Sequence, residues 1–339
     1  MRCLSPLTVS FKDDGKTISW SQKTHSKEFS KFQIPCSKCI PCRLEQARSK
    51  AIRCMHEAQM YEKNSFITLT YSDEHLKSPK LQYYDFQLFV KKLRNLRFEQ
   101  ILKQHALTRD TYKLLSRDER RVILEPGYIP LIVTGEYGDK TKRPHWHALL
   151  FNYEPSDLKF FRTTELDHVV SKSEELNNLW QKGHTETGSV TLESAGYVCR
   201  YAAKKLIHGK DQDHDFHPIH KMSSKHAIGK KFLECYWQDI FNYGRVVLKT
   251  GQQMPIPRYY EKWLLKTHPD AYHRYVTQLK SERNFQSEKK QTQKEKEQIE
   301  HNIDRYYQNK PLAITETETL KVLMDDRFKR LQKHLKGDF

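Results

Sequence analysis

Hydrophobic and β-branched residues gather in a few short stretches of this chain and recur at helical spacing in longer ones. FITLTY (Phe66 to Tyr71) alternates β-branched and aromatic residues with others, the composition of a core strand. IPLIVTGEYG and HWHALLF flank the polar segment GDKTKR, a pattern that predicts two antiparallel strands joined by a turn over residues 138–143. Between these strands, residues 83–105 repeat Phe86, Phe89, Val90, Leu93 and Leu96 at the spacing of one helix face, with basic residues between them. Another helix is expected from Pro41 onward, because the run is rich in helix formers and proline is tolerated in a first helical turn. A helical stretch is expected from about 155 to 181, ending at Gly183, followed by a small strand SVTLE. Ser194 is then placed to cap a helix running to His208, with Gly209 as its stop.

Strands and helices mix without regular βαβ alternation, so the expected fold class is α+β, a central antiparallel sheet with flanking helices. Three regions follow from composition. Residues 1–60 form an arm with a cysteine-rich segment and a helix, 61–265 the core, and 266–339 a charged tail, either exposed helix or disorder. There is no internal repeat.

Charge narrows the choice of partner. Lys and Arg outnumber Asp and Glu by 59 to 42 in 339 residues, for a formal net charge of +17, which favours a polyanion and nucleic acid first. No apolar run long enough to span a bilayer is present, and the N-terminus lacks a charged-then-apolar signal pattern, so a soluble, non-secreted protein without a membrane partner is expected. The seven cysteines are odd in number and cluster at Cys36, Cys39, Cys42 and Cys54, which fits reducing conditions better than a disulfide framework. Cys42 and Cys54 on one helix stand about 18 Å apart and cannot share an ion. Zinc on Cys36, Cys39 and Cys42 needs a distant fourth ligand such as Cys3; reduced, buried thiols are the alternative the spacing favours.

Two clusters carry candidate chemistry. His145 and His147 are two apart on a strand, so both imidazoles point to one face. If the turn is centred on 138–143, position 136 pairs with 145 and Glu136 joins that face, close enough for Glu136, His145 and His147 to hold one divalent ion, Mg²⁺ or Mn²⁺ or else Zn²⁺. An apolar strand with two buried histidines bonded to their neighbours accounts for the same pattern. In ESAGYVCRYAAKKLIHGK, Tyr197, Tyr201, Lys204 and His208 share one face, and Cys199, Ala202, Ala203 and Leu206 form the apolar one. Two phenols one turn apart with an ammonium between turns suit attack on a phosphate, although helical tyrosines more often pack. The cluster DHDFHPIH, with His214, His217 and His220, is a competing metal candidate that Pro218 and its aspartates turn towards a solvated loop. Lys91, Lys92, Arg94 and Arg97 either track phosphates or form a solvated face, and Trp146 and Tyr137 are candidates to stack on bases.

Taken in order, CSKCIPCRLEQARSKAIRCMHEAQMYEKNSFITLTYSDEHL, GEYGDKTKRPHWHALLF, ESAGYVCRYAAKK, IGKKFLECY and PRYY resemble the His-hydrophobe-His endonuclease superfamily. In particular they resemble the replication initiators of small icosahedral single-stranded DNA phages of the gokushovirus group. The resemblance spans residues 30–265. It implies that FITLTY lies beside the active site, that His145, His147 and Glu136 bind the metal, and that Tyr197 and Tyr201 are paired nucleophiles with Lys204 as the accompanying lysine. It further implies nicking of single-stranded DNA at the viral origin through a 5′-phosphotyrosine. The host's replication helicase and polymerase would then be partners, in the cytoplasm of the bacterial host. The absence of a GxxxxGK[ST] run agrees with a borrowed helicase. A relaxase or transposase of the same superfamily is one alternative, and a non-catalytic nucleic-acid-binding protein is the other.

Overall fold

The alternating residues of the predicted strands divide between two faces of a seven-stranded sheet in the computed structural model, which describes residues 3–313 apart from 15–16, 26, 29, 139–140, 165–166, 205–217 and 312. The chain opens with β1 (Leu7–Phe11), β2 (Ile18–Ser19) and β3 (Phe32–Ile34), a small antiparallel sheet of order β2-β1-β3. Then come α1 (Ile40–Gln59), β4 (Asn64–Thr70), α2 (Tyr83–Gln104), α3 (Arg109–Leu114), α4 (Arg117–Leu124), β5 (Leu131–Tyr137) and β6 (Pro144–Phe151). The short β7 (Lys159–Thr163) and β8 (Val169–Lys172) lead to α5 (Glu174–Trp180), β9 (Thr185–Gly188), α6 (Leu192–Lys204) and β10 (Ile219–Met222). After α7 (Lys230–Tyr243), a hairpin of β11 (Val246–Val247) and β12 (Gln253–Met254) precedes α8 (Arg258–Thr267), α9 (Pro269–Arg274) and α10 (Ser281–Tyr307). The chain divides into two compact units, Arg48–Thr267 and Met1–Ala47 with His268–Phe339.

The larger unit holds the main sheet, order β10-β5-β6-β4-β9-β8-β7, with every neighbouring pair antiparallel. The sheet confirms the expected α+β class. One face, with Ile67, Leu69, Val133, Trp146, Ala148 and Leu150, packs on Phe86, Phe89, Val90 and Leu93 of α2 and on Leu176 and Trp180 of α5. Burying these side chains on both partners is what holds α2 and α5 to the sheet. Trp146 lies across Gly135, its cross-strand partner, and a Cβ there would stand 2.5 Å from Trp146 Cζ3. Only glycine lets the indole lie flat at that point. The opposite face receives α6, which packs on β5 and β6.

Residues 155–181 correct the expected helix, being β7, β8 and only then α5. KFFRT and VVSK are rich in strand formers, but β7 is largely exposed at the sheet edge, so pairing rather than burial sets its conformation and no alternating pattern marks it. The small strand is Thr185–Gly188, earlier than SVTLE, and pairs with β4 through Phe66 and Gly188. Thr191, not Ser194, caps α6: the Thr191 N–H donates to Ser194 Oγ at 2.9 Å and the Ser194 N–H to Thr191 Oγ1 at 3.2 Å, a reciprocal capping box. The expected helix end at His208 and Gly209 lies outside the described residues.

In the smaller unit, α10 is a long, mostly exposed helix, one of the two states its charge allowed. No helix among the described residues is long and apolar enough to cross a membrane.

Candidate active site

Six residues separate β5 from β6, and the turn closes with the Gly138 N–H donating to the Arg143 carbonyl at 2.9 Å. Arg143 ties the turn to the end of β4, bonding the Tyr71 carbonyl at 2.8 Å and pairing with Asp73. This closure sets Glu136 opposite His145, the register that the position of the turn predicted. Glu136, His145 and His147 thus share the sheet face away from Trp146, and one ligand atom from each lies within 4.8 Å of the others.

Neighbouring groups orient each imidazole. The Arg143 carbonyl accepts from His145 Nδ1 at 3.2 Å, which turns Nε2 towards Glu136, 3.9 Å from its Oε2. Thr68 Oγ1 lies 3.0 Å from Nδ1 of His147, its cross-strand partner, and by accepting that proton it leaves Nε2 as the site-facing nitrogen. Phe66 stacks against the His147 ring at 5.6 Å. Glu136 and His147 are almost fully buried, at 2% and 1% exposure, while His145 is half-buried and keeps the site open on its side.

Helix α6 brings the phenol. Ala195, Val198 and Cys199 are buried, and Tyr197, flanking them, is half-buried with its ring edge-on to His147. The Tyr197 hydroxyl donates to Glu136 Oε2 at 3.1 Å and stands 3.4 Å from His147 Nε2. Tyr197 therefore faces the sheet instead of forming an outward face. Tyr201 and Lys204 belong to the helix one and two turns on, and their side chains lie outside the described residues, as do His208, His214 and His217.

Several other expectations change. Trp146 and Tyr137 are buried on the α2 side of the sheet, where Trp146 Nε1 donates to the Tyr71 hydroxyl and Tyr137 accepts from the Leu81 N–H, so neither is available to stack on bases at this site. Lys91, Lys92, Arg94 and Arg97 ride on α2, also on that far side, and act there as a solvated face. His220 sits on strand β10, not in a loop, with Nε2 at 3.0 Å from Lys50 Nζ. Thr68 is the functional residue the sequence reading missed: its alternation within FITLTY was visible, but which strand would lie beside it was not.

A second group of potential ligands among the described residues is Cys3, Cys36, Cys39 and Cys42. All seven cysteines are free.

Comparison with known proteins bears on this geometry. The model of a family of replication-associated proteins, the ORF2 type, matches residues 64–206, the stretch from β4 into the α6 region. Over 99% of its length the chain is 46% identical to the replication-associated protein VP4 of Bdellovibrio phage phiMH2K, covering all of that protein. It is 29% identical to the replication-associated protein ORF4 of Chlamydia phage 1, over 71% of this chain and 55% of that one. It is 26% identical to the replication-associated protein ORF2 of Spiroplasma virus 4, over 84% and 86%. No solved structure matches significantly.

Proposed function

The chain belongs to the family of phage replication-associated proteins, and on that premise we propose that it initiates rolling-circle replication by nicking and rejoining single-stranded DNA at the viral origin through tyrosine. The observation that carries this reading is the Tyr197 hydroxyl at 3.1 Å from Glu136 and 3.4 Å from His147. Two imidazoles and a carboxylate, converging from paired strands with their outer nitrogens engaged, fit a divalent ion such as Mg²⁺ or Mn²⁺. Bound there, the ion supplies positive charge that polarises the scissile phosphate.

The chain's own groups carry the bond changes. Tyr197 Oη attacks phosphorus as its proton leaves, the P–O3′ bond breaks, and the departing oxygen ends as a protonated 3′-hydroxyl beside a 5′-phosphotyrosine. Glu136, which accepts the phenol's hydrogen bond, holds that oxygen at the site. An unperturbed phenol titrates near pH 10, so a cation beside it, the role assigned to Lys204, favours the reactive form. Tyr201, one turn further along α6, attacks the regenerated origin after a round of synthesis, and the freed 3′-end resolves the first linkage to close a circle. Each exchange conserves the phosphodiester energy. The host's helicase and polymerase, in the bacterial cytoplasm, extend the new 3′-hydroxyl.

DNA retention rests on charge elsewhere in the same unit. Arg117, Arg120, Arg121, Lys225, Lys230 and Lys231 line an open groove that also holds Glu57, Glu125 and Glu234, a net positive surface for a phosphate backbone. It lies beyond the Leu131 end of β5, where the Ser223 N–H bonds the Leu131 carbonyl, about 17 Å of strand from Glu136.

Purified protein incubated with labelled origin strand and Mn²⁺ tests the proposal. A covalent adduct is expected, and it is lost when Tyr197→Phe and Tyr201→Phe are combined. Salt-sensitive binding without an adduct under Mg²⁺, Mn²⁺ and Zn²⁺ would falsify catalysis in favour of a passive binding protein. Nicking of a plasmid transfer origin in preference to the phage origin supports the relaxase alternative.

A further inference from the structure

Cys3, Cys36, Cys39 and Cys42 have no part in this chemistry, yet their four sulfurs all lie within 4.8 Å of one another. Local sequence supplies three of them, the last in the first turn of α1. The fold alone adds Cys3, whose sulfur accepts the Cys36 N–H at 3.3 Å across 33 residues. Four thiolates at about 2.3 Å from a tetrahedral zinc are separated by edges of about 3.8 Å. The Cys3 and Cys39 sulfurs are 3.8 Å apart.

The backbone around the group is shaped to hold thiolates. Ser37, at φ 60, turns the chain so that the N–H groups of Lys38 and Cys39 both donate to Cys36 Sγ, at 3.4 and 3.3 Å. Outer hydrogen bonds of this kind fix ligand direction before a metal arrives. The need for a staple is also visible: Val9, Pro41, Cys42 and Ala47 are the buried nonpolar side chains among the described residues before Arg48. So few leave a three-stranded sheet of ten residues short of a core.

We propose that Cys3, Cys36, Cys39 and Cys42 bind one structural Zn²⁺ that fastens the N-terminal strands to the start of α1. Four protein sulfurs fill the tetrahedron, leaving no open position for substrate, so this ion is structural and independent of the histidine site. Merely reduced, buried thiols do not describe the group, since Cys3, Cys36 and Cys39 are only half-buried and converge.

Elemental analysis of the full-length protein, purified under reductant and exchanged into metal-free buffer, tests it. About one zinc per chain is expected. It is retained in His147→Ala, which disables the other site, and in the control Cys235→Ser, whose thiol is exposed on α7. It is lost in Cys3→Ser, which leaves α1 untouched. Refilling with Co²⁺ gives the intense visible absorption and sulfur-to-metal charge-transfer band of a tetrahedral thiolate site in wild type but not in Cys3→Ser, a readout that misfolding of one variant cannot imitate in wild type. Wild-type protein without zinc, zinc kept by Cys3→Ser but lost from His147→Ala, iron in place of zinc, or a disulfide among these cysteines in protein held under reductant would each overturn it. None of those results touches the nicking assay.

Discussion

The Tyr197 hydroxyl donates to Glu136 Oε2 at 3.1 Å across 61 residues of sequence. That contact joins a helix to the strand pair bearing His145 and His147, and it puts a nucleophile and a candidate metal set in one place. Chemistry, binding and stability rest on different residues and can be tested apart.

Tyr197→Phe removes the attacking oxygen and its bond to Glu136 while keeping the ring against His147. Formation of the first covalent adduct in a single-turnover assay is expected to slow by on the order of 10³-fold or more. An unchanged rate would remove Tyr197 from the role of nucleophile.

His147→Ala is expected to abolish nicking and leave DNA retention on filters nearly intact. Thr68 is a positioning residue, acting through His147 Nδ1. Thr68→Val should raise the Mn²⁺ concentration needed for half-maximal nicking by about 10–100-fold, with activity returning at high metal and Thr68→Ser restoring the original dependence. A loss that no metal concentration relieves would point to a structural role.

Combining Arg117→Ala with Lys225→Ala removes two cations from the groove. Binding of single-stranded DNA should weaken, and the slope of log affinity against log salt should shrink by about 1.4, at about 0.7 per phosphate contact. The rate of nicking at saturating DNA is expected to stay the same. An unaltered salt slope would move the binding surface elsewhere.

His56 is fully buried, stacked on Phe232 with Nδ1 at 2.9 Å from the Tyr260 hydroxyl, and burial lowers its pKa to about 4. The unfolded chain, titrating near 6.5, takes up this proton first, so the stabilisation is full above pH 6.5 and is lost as pH falls towards 4. His56 should account for about 3 kcal/mol of the fall in unfolding free energy between pH 7 and pH 4. Burial raises the pKa of neighbouring Glu57, which acts in the opposite direction, so the measurement is the difference between urea curves of wild type and His56→Gln. Equal pH slopes in the two proteins would contradict it.

Gly135→Ala forces a Cβ to 2.5 Å from Trp146 Cζ3 in a filled core. A loss of about 1–3 kcal/mol is expected in urea unfolding. A neutral effect would mean that the indole repacks freely.

Local sequence carried the parts of this protein whose partners are close along the chain. The turn over 138–143 fixes the pairing of Glu136 with His145, and strand alternation then aims His145 and His147 to one side, so the candidate ligand set was legible before any coordinates. The apolar spacing of α2 was equally clear. The strands β7 and β8 were not, because edge pairing leaves no burial pattern in the sequence.

What tertiary structure alone decided is which distant residues meet. Thr68 reaches His147 across 79 residues, Tyr197 reaches Glu136 across 61, and Cys3 reaches Cys39 across 36. Hydrophobic period and turn chemistry report the face a side chain takes on its own element. The neighbour that face receives depends on sheet order and helix packing, which come from burying α2, α5 and α6 on a sheet whose order is not written in any one segment.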